Sequence, residues 1–99
     1  MARNGMRPVH PGEVLREDYL ITSGMSVNAL AKALRVPAPR INEIVRGRRG
    51  VSADTALRLA RYYDTSPQFW LNLQTAYDLR LAEQIAGKRI AREIRPNAA

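Results

Sequence analysis

The sequence predicts an all-α domain of five helices, the last of them the longest. Three observations predict it. Apolar residues recur at three- and four-residue spacings in five successive stretches. Serine, proline or glycine stands at most of the boundaries, where helix caps and stops belong. No stretch alternates apolar with polar residues as a half-buried strand does, and there is no internal repeat or low-complexity tract. Ninety-nine residues suit one domain with one core.

Residues 1–10 are polar and carry Arg3 and Arg7 without any period, so they are expected to form a flexible N-terminal arm. A first helix follows over residues 11–23. Pro11 is tolerated in its first turn, Glu13 complements the positive end of its dipole, and Gly24 supplies a left-handed stop. Val14, Leu15, Tyr19 and Leu20 give it one apolar side. Ser26 caps a short second helix over 27–34, whose Val27, Leu30, Ala31 and Leu34 fall on one stripe. The third covers residues 38–46, with Ile41, Ile44 and Val45 inward and Gly47 closing it.

Ser52 caps a fourth helix with Asp54 near its start, and Ala56, Leu57, Leu59 and Ala60 are expected on its buried side. Residues 64–66 break the pattern. Ser66 and Pro67 then open the fifth helix, which carries Phe69, Trp70, Leu73, Tyr77, Leu79 and Leu81 and is expected to reach residue 86, where Gly87 interrupts. The domain proper thus spans residues 11–86, and residues 87–99, with KRIAREIR, form a basic C-terminal tail. That tail is too short and too poor in large apolar residues to anchor at a membrane surface.

Charge narrows the partner. Sixteen basic residues, fourteen of them arginine, against nine acidic ones give a formal charge of +7, a field that favours a polyanion, although basic composition alone fits ribosomal proteins and membrane-surface binders as well. Without cysteine there are no disulfides or thiolate metal sites. His10 is the lone histidine, suited to the start of the first helix rather than to a metal site. No metal or other cofactor is expected. Neither a membrane span nor a signal-peptide apolar region is visible, which makes the cytoplasm the expected location. The residues offer no nucleophile and base pair and no glycine-rich phosphate loop, so an enzyme is not expected.

The second and third helices, joined by RVP, have the proportions of a helix-turn-helix. That motif needs a small residue where its helices cross, an apolar plug in the turn, and apolar tethers beneath the probe helix. Ala31, Val36, Ile41 and Ile44 meet those needs. Pro37 and Pro39 sit where a proline forfeits only N–H groups that have no partner inside the helix. With Ile41 and Ile44 inward, the outward positions are Ala38, Pro39, Arg40, Asn42, Glu43 and Arg46. Arginine pairs bidentately with guanine and asparagine with adenine, so Arg40 and Asn42 are the expected base readers. Arg46, Arg48 and Arg49 follow where phosphates would pass, and such contacts set register and salt-dependent affinity.

Three motifs carry a family resemblance: HPGEVLREDYL at 10–20, LAKALRVPAPRINEIVRGRRGVSADTALRLARYY at 30–63, and TSPQFWLNLQTAYDL at 65–79. Through them the chain resembles the HigA-type antitoxins, small regulators of the Xre-like, lambda-repressor-like helix-turn-helix group. The third motif is the most specific, because generic helix-turn-helix domains lack it. The resemblance implies a homodimer that binds a palindromic double-stranded operator, represses its own operon and captures a HigB-type ribonuclease toxin. Without a toxin partner the chain would be a solitary Xre-like regulator. It also places the DNA contacts on the segment holding Ala38, Pro39, Arg40, Asn42, Glu43 and Arg46. The wider group has glutamine where Val27 stands and small polar residues where Ala38 and Pro39 stand, which shifts specificity onto Arg40 and Asn42.

Some residues admit two readings. Arg48 and Arg49 either contact phosphate or form an ordinary solvated loop. Glu43 either reads cytosine or pairs with Arg46 or Arg40 on the helix surface. Trp70 and Tyr77, seven apart on one face, serve core packing, a dimer interface, or both.

Overall fold

A computed structural model describes residues 7–97, and the described residues fold as an all-helical chain without strands. The first six residues of the expected arm and the last two of the expected tail lie outside the described range. Residues 7–10 of the arm are held. Arg7 donates from Nη1 and Nη2 to the two carboxylate oxygens of Glu13 at 3.0 and 2.9 Å. The ring of His10 meets Tyr77 edge-on at 4.8 Å between centroids.

Helix α1 is built from three consecutive segments, Pro11–Val14, a π-helical Leu15–Leu20, and Ile21–Ser23. His10 caps it, its Nδ1 accepting the Gly12 N–H at 2.9 Å. In the wider π turns, the Ile21 N–H reaches Arg16 O, five residues back. Residues five apart then share a face, which is why both Leu15 and Leu20 are buried. Gly24, at φ 72°, ends the helix. Gly12 lets α1 cross the end of the third helix closely, since a Cβ there would run into the backbone carbonyl of Ile44.

Helix α2 (Val27–Leu34) and helix α3 (Ala38–Val45) form the helix-turn-helix. The Ser26 hydroxyl accepts the Ala29 N–H at 3.0 Å, and Leu30, Ala31 and Leu34 are buried. The turn begins with Arg35 in the left-handed region at φ 59°, a place where glycine is usual. Val36 then donates its N–H to Ala31 O at 3.0 Å and packs its side chain against the core. In α3, Ile41 and Ile44 have no exposed surface. Gly47, at φ 74°, follows the helix end.

Helix α4 (Ala53–Tyr63) starts on Ser52, which accepts the Thr55 N–H at 3.3 Å. Ala56, Leu59 and Ala60 are buried as expected, but Leu57 is 60% exposed. At 100° per residue Leu57 lies outside the stripe that 56, 59, 60 and 63 define. Arg58 donates from Nη1 to Leu34 O at 2.8 Å and so serves a free carbonyl at the end of α2.

Helix α5 (Pro67–Glu93) is the longest, at about 40 Å for its length. Ser66 caps it through the Phe69 N–H at 3.0 Å. Gly87 does not interrupt it. A mid-helix glycine costs only about 1 kcal/mol relative to alanine, and strong helix formers stand on both sides, from Ala82 to Ala86 and from Lys88 to Arg92. Trp70 is completely buried, its Nε1 donating to Thr65 Oγ1 at 2.9 Å, and Leu71 and Leu73 pack against the core. Trp70 is therefore a core residue. Farther along, Leu79 and Ile85 are exposed, and the molecule measures 52 × 26 × 22 Å because this half of α5 extends past the core.

Candidate nucleic-acid interface

Helix α3 is anchored on one side and open on the other. Ile41 and Ile44 hold it to the core, while Pro39, Asn42 and Arg46 face solvent and Ala38 and Glu43 are half-buried. Together with Ser26, Val27 and Asn28 at the start of α2, and with Arg48, this face lines an open groove of about 450 Å³. The N-terminal end of α2, where unpaired N–H groups give a partial positive charge, opens on the same groove. Among the described residues, the side chains of Asn42, Arg46 and Arg48 have no hydrogen bond or ion pair. Donors and cations left unpaired on a concave surface are chemically fitted to a phosphate backbone and to base edges.

The candidate residues divide into two sets. Ala38, Pro39, Asn42, Glu43, Arg46 and Arg48 line the groove, whereas Arg40 and Arg49 line a neighbouring one of about 380 Å³ with Ser52, Asp54 and Arg58 at the start of α4. Arg40 donates from Nη1 to Asp54 Oδ2 at 3.0 Å, and Arg58 Nε reaches the same oxygen at 2.8 Å. The Arg58 hydrogen bond, with lesser help from Arg40, holds the Asp54 carboxyl below the usual carboxylate range. Arg40 thus stands at the flank of α3, in phase with the edge of its buried side. Glu43 is ion-paired, as the surface-pairing alternative expected, but with Arg49 at 3.0 Å rather than with Arg46 or Arg40.

Sequence reasoning missed Ser26 and Asn28 as groove residues, and Ser52 and Arg58 beside Arg40. A signal for the first pair was present, since the first helix of the motif lies across the DNA backbone and these residues open it. The second pair depends on a contact between α3 and α4 that no local pattern announces. Among the described residues no three His, Cys, Asp or Glu side chains gather to hold a metal ion, and no helix is long and apolar enough to cross a membrane.

The loop that carries Arg48 and Arg49 is tied to α5. Gln74 Oε1 accepts the Val51 N–H at 2.7 Å, and its Nε2 donates to Asp78 at 3.0 Å. Gly50 gives Gln74 its room, since a Cβ there would lie 3.0 Å from the Gln74 amide.

Comparison with known proteins bears on this geometry. Residues 17–70 match a helix-turn-helix family. The chain is 62% identical over 82 residues to virulence-associated protein I of Dichelobacter nodosus, covering 83% of this chain and 76% of that protein. Its fold is similar to that of the Pseudomonas aeruginosa antitoxin HigA, solved with the higBA promoter, at a TM-score of 0.91 and 54% identity over 93% of this chain and 100% of that one. It is also similar to the antitoxin GraA in complex with its operator, at a TM-score of 0.90 and 55% identity with both chains fully covered. The chain belongs to the HigA-type antitoxins of the helix-turn-helix family.

Proposed function

We propose that this chain is a transcriptional repressor and antitoxin of a HigBA-type module: a cytoplasmic homodimer that binds a palindromic operator and neutralises a ribonuclease toxin. The groove of α3 carries the reading, because it presents Asn42, Arg46 and Arg48 unpaired beside the positive end of α2. The HigA and GraA structures, each solved with its promoter or operator, support it. Within the groove Asn42 reads a base edge, while Arg46 and Arg48 take phosphates. Arg40 and Arg49, with Ser52 at the start of α4, take phosphates on the flank rather than bases. Two copies on a palindrome place their α3 helices about 34 Å apart, one turn of the duplex.

A mobility-shift titration on duplex DNA taken from upstream of the chain's own gene tests the first half. One dimer bound per inverted repeat, lost on scrambling the repeat, is the expected result, and equal binding to the scrambled duplex would refute it. Co-expression with the product of the adjoining gene tests the second half. A stable complex and restored growth are expected; a neighbour without ribonuclease activity would leave a solitary regulator.

A further inference from the structure

A second concave surface lies at the other end of α2. Ala33, Leu34 and Arg35 close it on one side and Leu57, Arg61 and Tyr62 of α4 on the other, with a volume of about 500 Å³. It shares no residue with the groove of α3. Its floor is apolar and open, since Leu57 is 60% and Tyr62 44% exposed in a helix that otherwise sends its large apolar residues inward.

We propose that this groove docks an acidic amphipathic segment of a partner protein, its leucine-like side chains on Leu57 and the ring of Tyr62 and its carboxylates on Arg35 and Arg61. Charge points to such an occupant. Arg35, Arg58 and Arg61 surround the groove, and its one carboxylate, Asp54, is already engaged by Arg40 and Arg58. Among the described residues the Arg35 and Arg61 side chains have no hydrogen bond or ion pair. Backbone strain is an independent sign. Arg35 holds a left-handed φ of 59°, where glycine would be easier, and keeps its guanidinium at the rim.

Other occupants fit less well. A phosphate backbone could engage the arginines but has nothing for Leu57 and Tyr62. A second copy carries +7 and no acidic run longer than Glu17-Asp18, and its Glu13, Glu17, Glu43 and Asp54 are already paired. An acidic helix or extended segment with spaced apolar side chains matches both the floor and the rim.

The test uses the whole chain and a short synthetic peptide with leucines at helical spacing among glutamates, followed by backbone amide NMR shifts and fluorescence anisotropy. Saturable binding is expected, with shifts concentrated at residues 33–35 and 57–62. Leu57→Ser and Arg61→Ser should each weaken it by about tenfold. Arg35→Gly should weaken binding while raising the thermal midpoint, a combination that a purely structural arginine does not produce. Equal binding of a control peptide with serine for every leucine would overturn the proposal, because charge alone would then suffice. Shifts centred on Arg46 and Arg48 would overturn it too, as would a lower salt slope for duplex DNA in Arg35→Ala and Arg61→Ala, which would assign the groove to DNA.

Discussion

Asp54 holds Arg40 at 3.0 Å, and the contact draws the guanidinium toward the start of α4 and out of the groove in which Asn42 stands. Because Arg58 and Arg40 keep the Asp54 carboxyl below the usual carboxylate range, it stays ionised at any pH used for DNA binding. Asp54→Asn removes one negative charge from this flank and releases Arg40. The expected outcome is tighter binding to operator and unrelated duplex alike, with the salt dependence steepened by about one counterion. A series of titrations at rising salt measures it. An unchanged slope would show that Arg40 does not approach a phosphate.

Two glycines predict stability changes of opposite sign. At Gly12 a Cβ would meet the Ile44 carbonyl, so α1 and α3 must separate or bend. Gly12→Ala should cost about 3 kcal/mol, the upper end for overpacking, since backbone rather than a flexible side chain is in the way. At Gly87 the nearest atom to a new Cβ is Glu83 Cβ, at an ordinary 3.7 Å, within a regular helix. Gly87→Ala should stabilise α5 by about 0.5–1 kcal/mol. Urea midpoints at constant m-value read both.

These elements show what local pattern can reveal. Ser26, Ser52 and Ser66 cap helices where a serine before an apolar period says they should, and Gly24 and Gly47 take the left-handed conformation expected of them. Such signals act within one turn of chain. The groove face of α3 was legible for the same reason, because the inward Ile41 and Ile44 fix the phase of Asn42 and Arg46. The π turns of α1 were not, although Leu15 and Leu20 stand five apart, because a rare geometry competes with a common one for the same residues. Arg35 and Asp64 end their helices in left-handed conformations without the glycine that would have announced it. The pairing of Arg40 with Asp54 spans fourteen residues and two helices, and only the folded chain, which brings the start of α4 beside the flank of α3, reveals it.

His10 makes stability depend on pH. Its Nδ1 must be free of a proton to accept the Gly12 N–H, and burial, opposed by the charge of Asp78, lowers its pKa below the ordinary 6.5. Between the folded and unfolded values the unfolded chain binds more protons, so acid favours unfolding. The contribution is fully present above pH 6.5 and is lost as pH falls through the folded value. His10→Asn, which can cap without titrating, should flatten the decline between pH 7 and pH 5 (approximate limits set by the imidazole range). Denaturant titrations across that interval measure it, and an unchanged decline would assign the dependence elsewhere.

The proposed division of labour between reading and holding DNA gives the sharpest contrast. Asn42 is exposed and unpaired in the groove, with two donors and an acceptor suited to an adenine edge. Asn42→Ala should therefore cost about 1–3 kcal/mol on the operator and almost nothing on unrelated duplex, erasing preference at one base position per half-site. Arg48 lies beyond the end of α3, on the loop that Gln74 pins through Val51, and the proposed reading gives it a phosphate rather than a base edge. Arg48→Ala should weaken every sequence equally and lower the salt slope by about one unit. Arg40→Ala should also weaken every sequence equally, but with a smaller loss of salt slope than Arg48→Ala, because Asp54 already engages its charge on the flank. Base-specific loss in Arg40→Ala with none in Asn42→Ala would reverse the assignment and mean that Arg40 leaves Asp54 to enter the major groove when DNA binds.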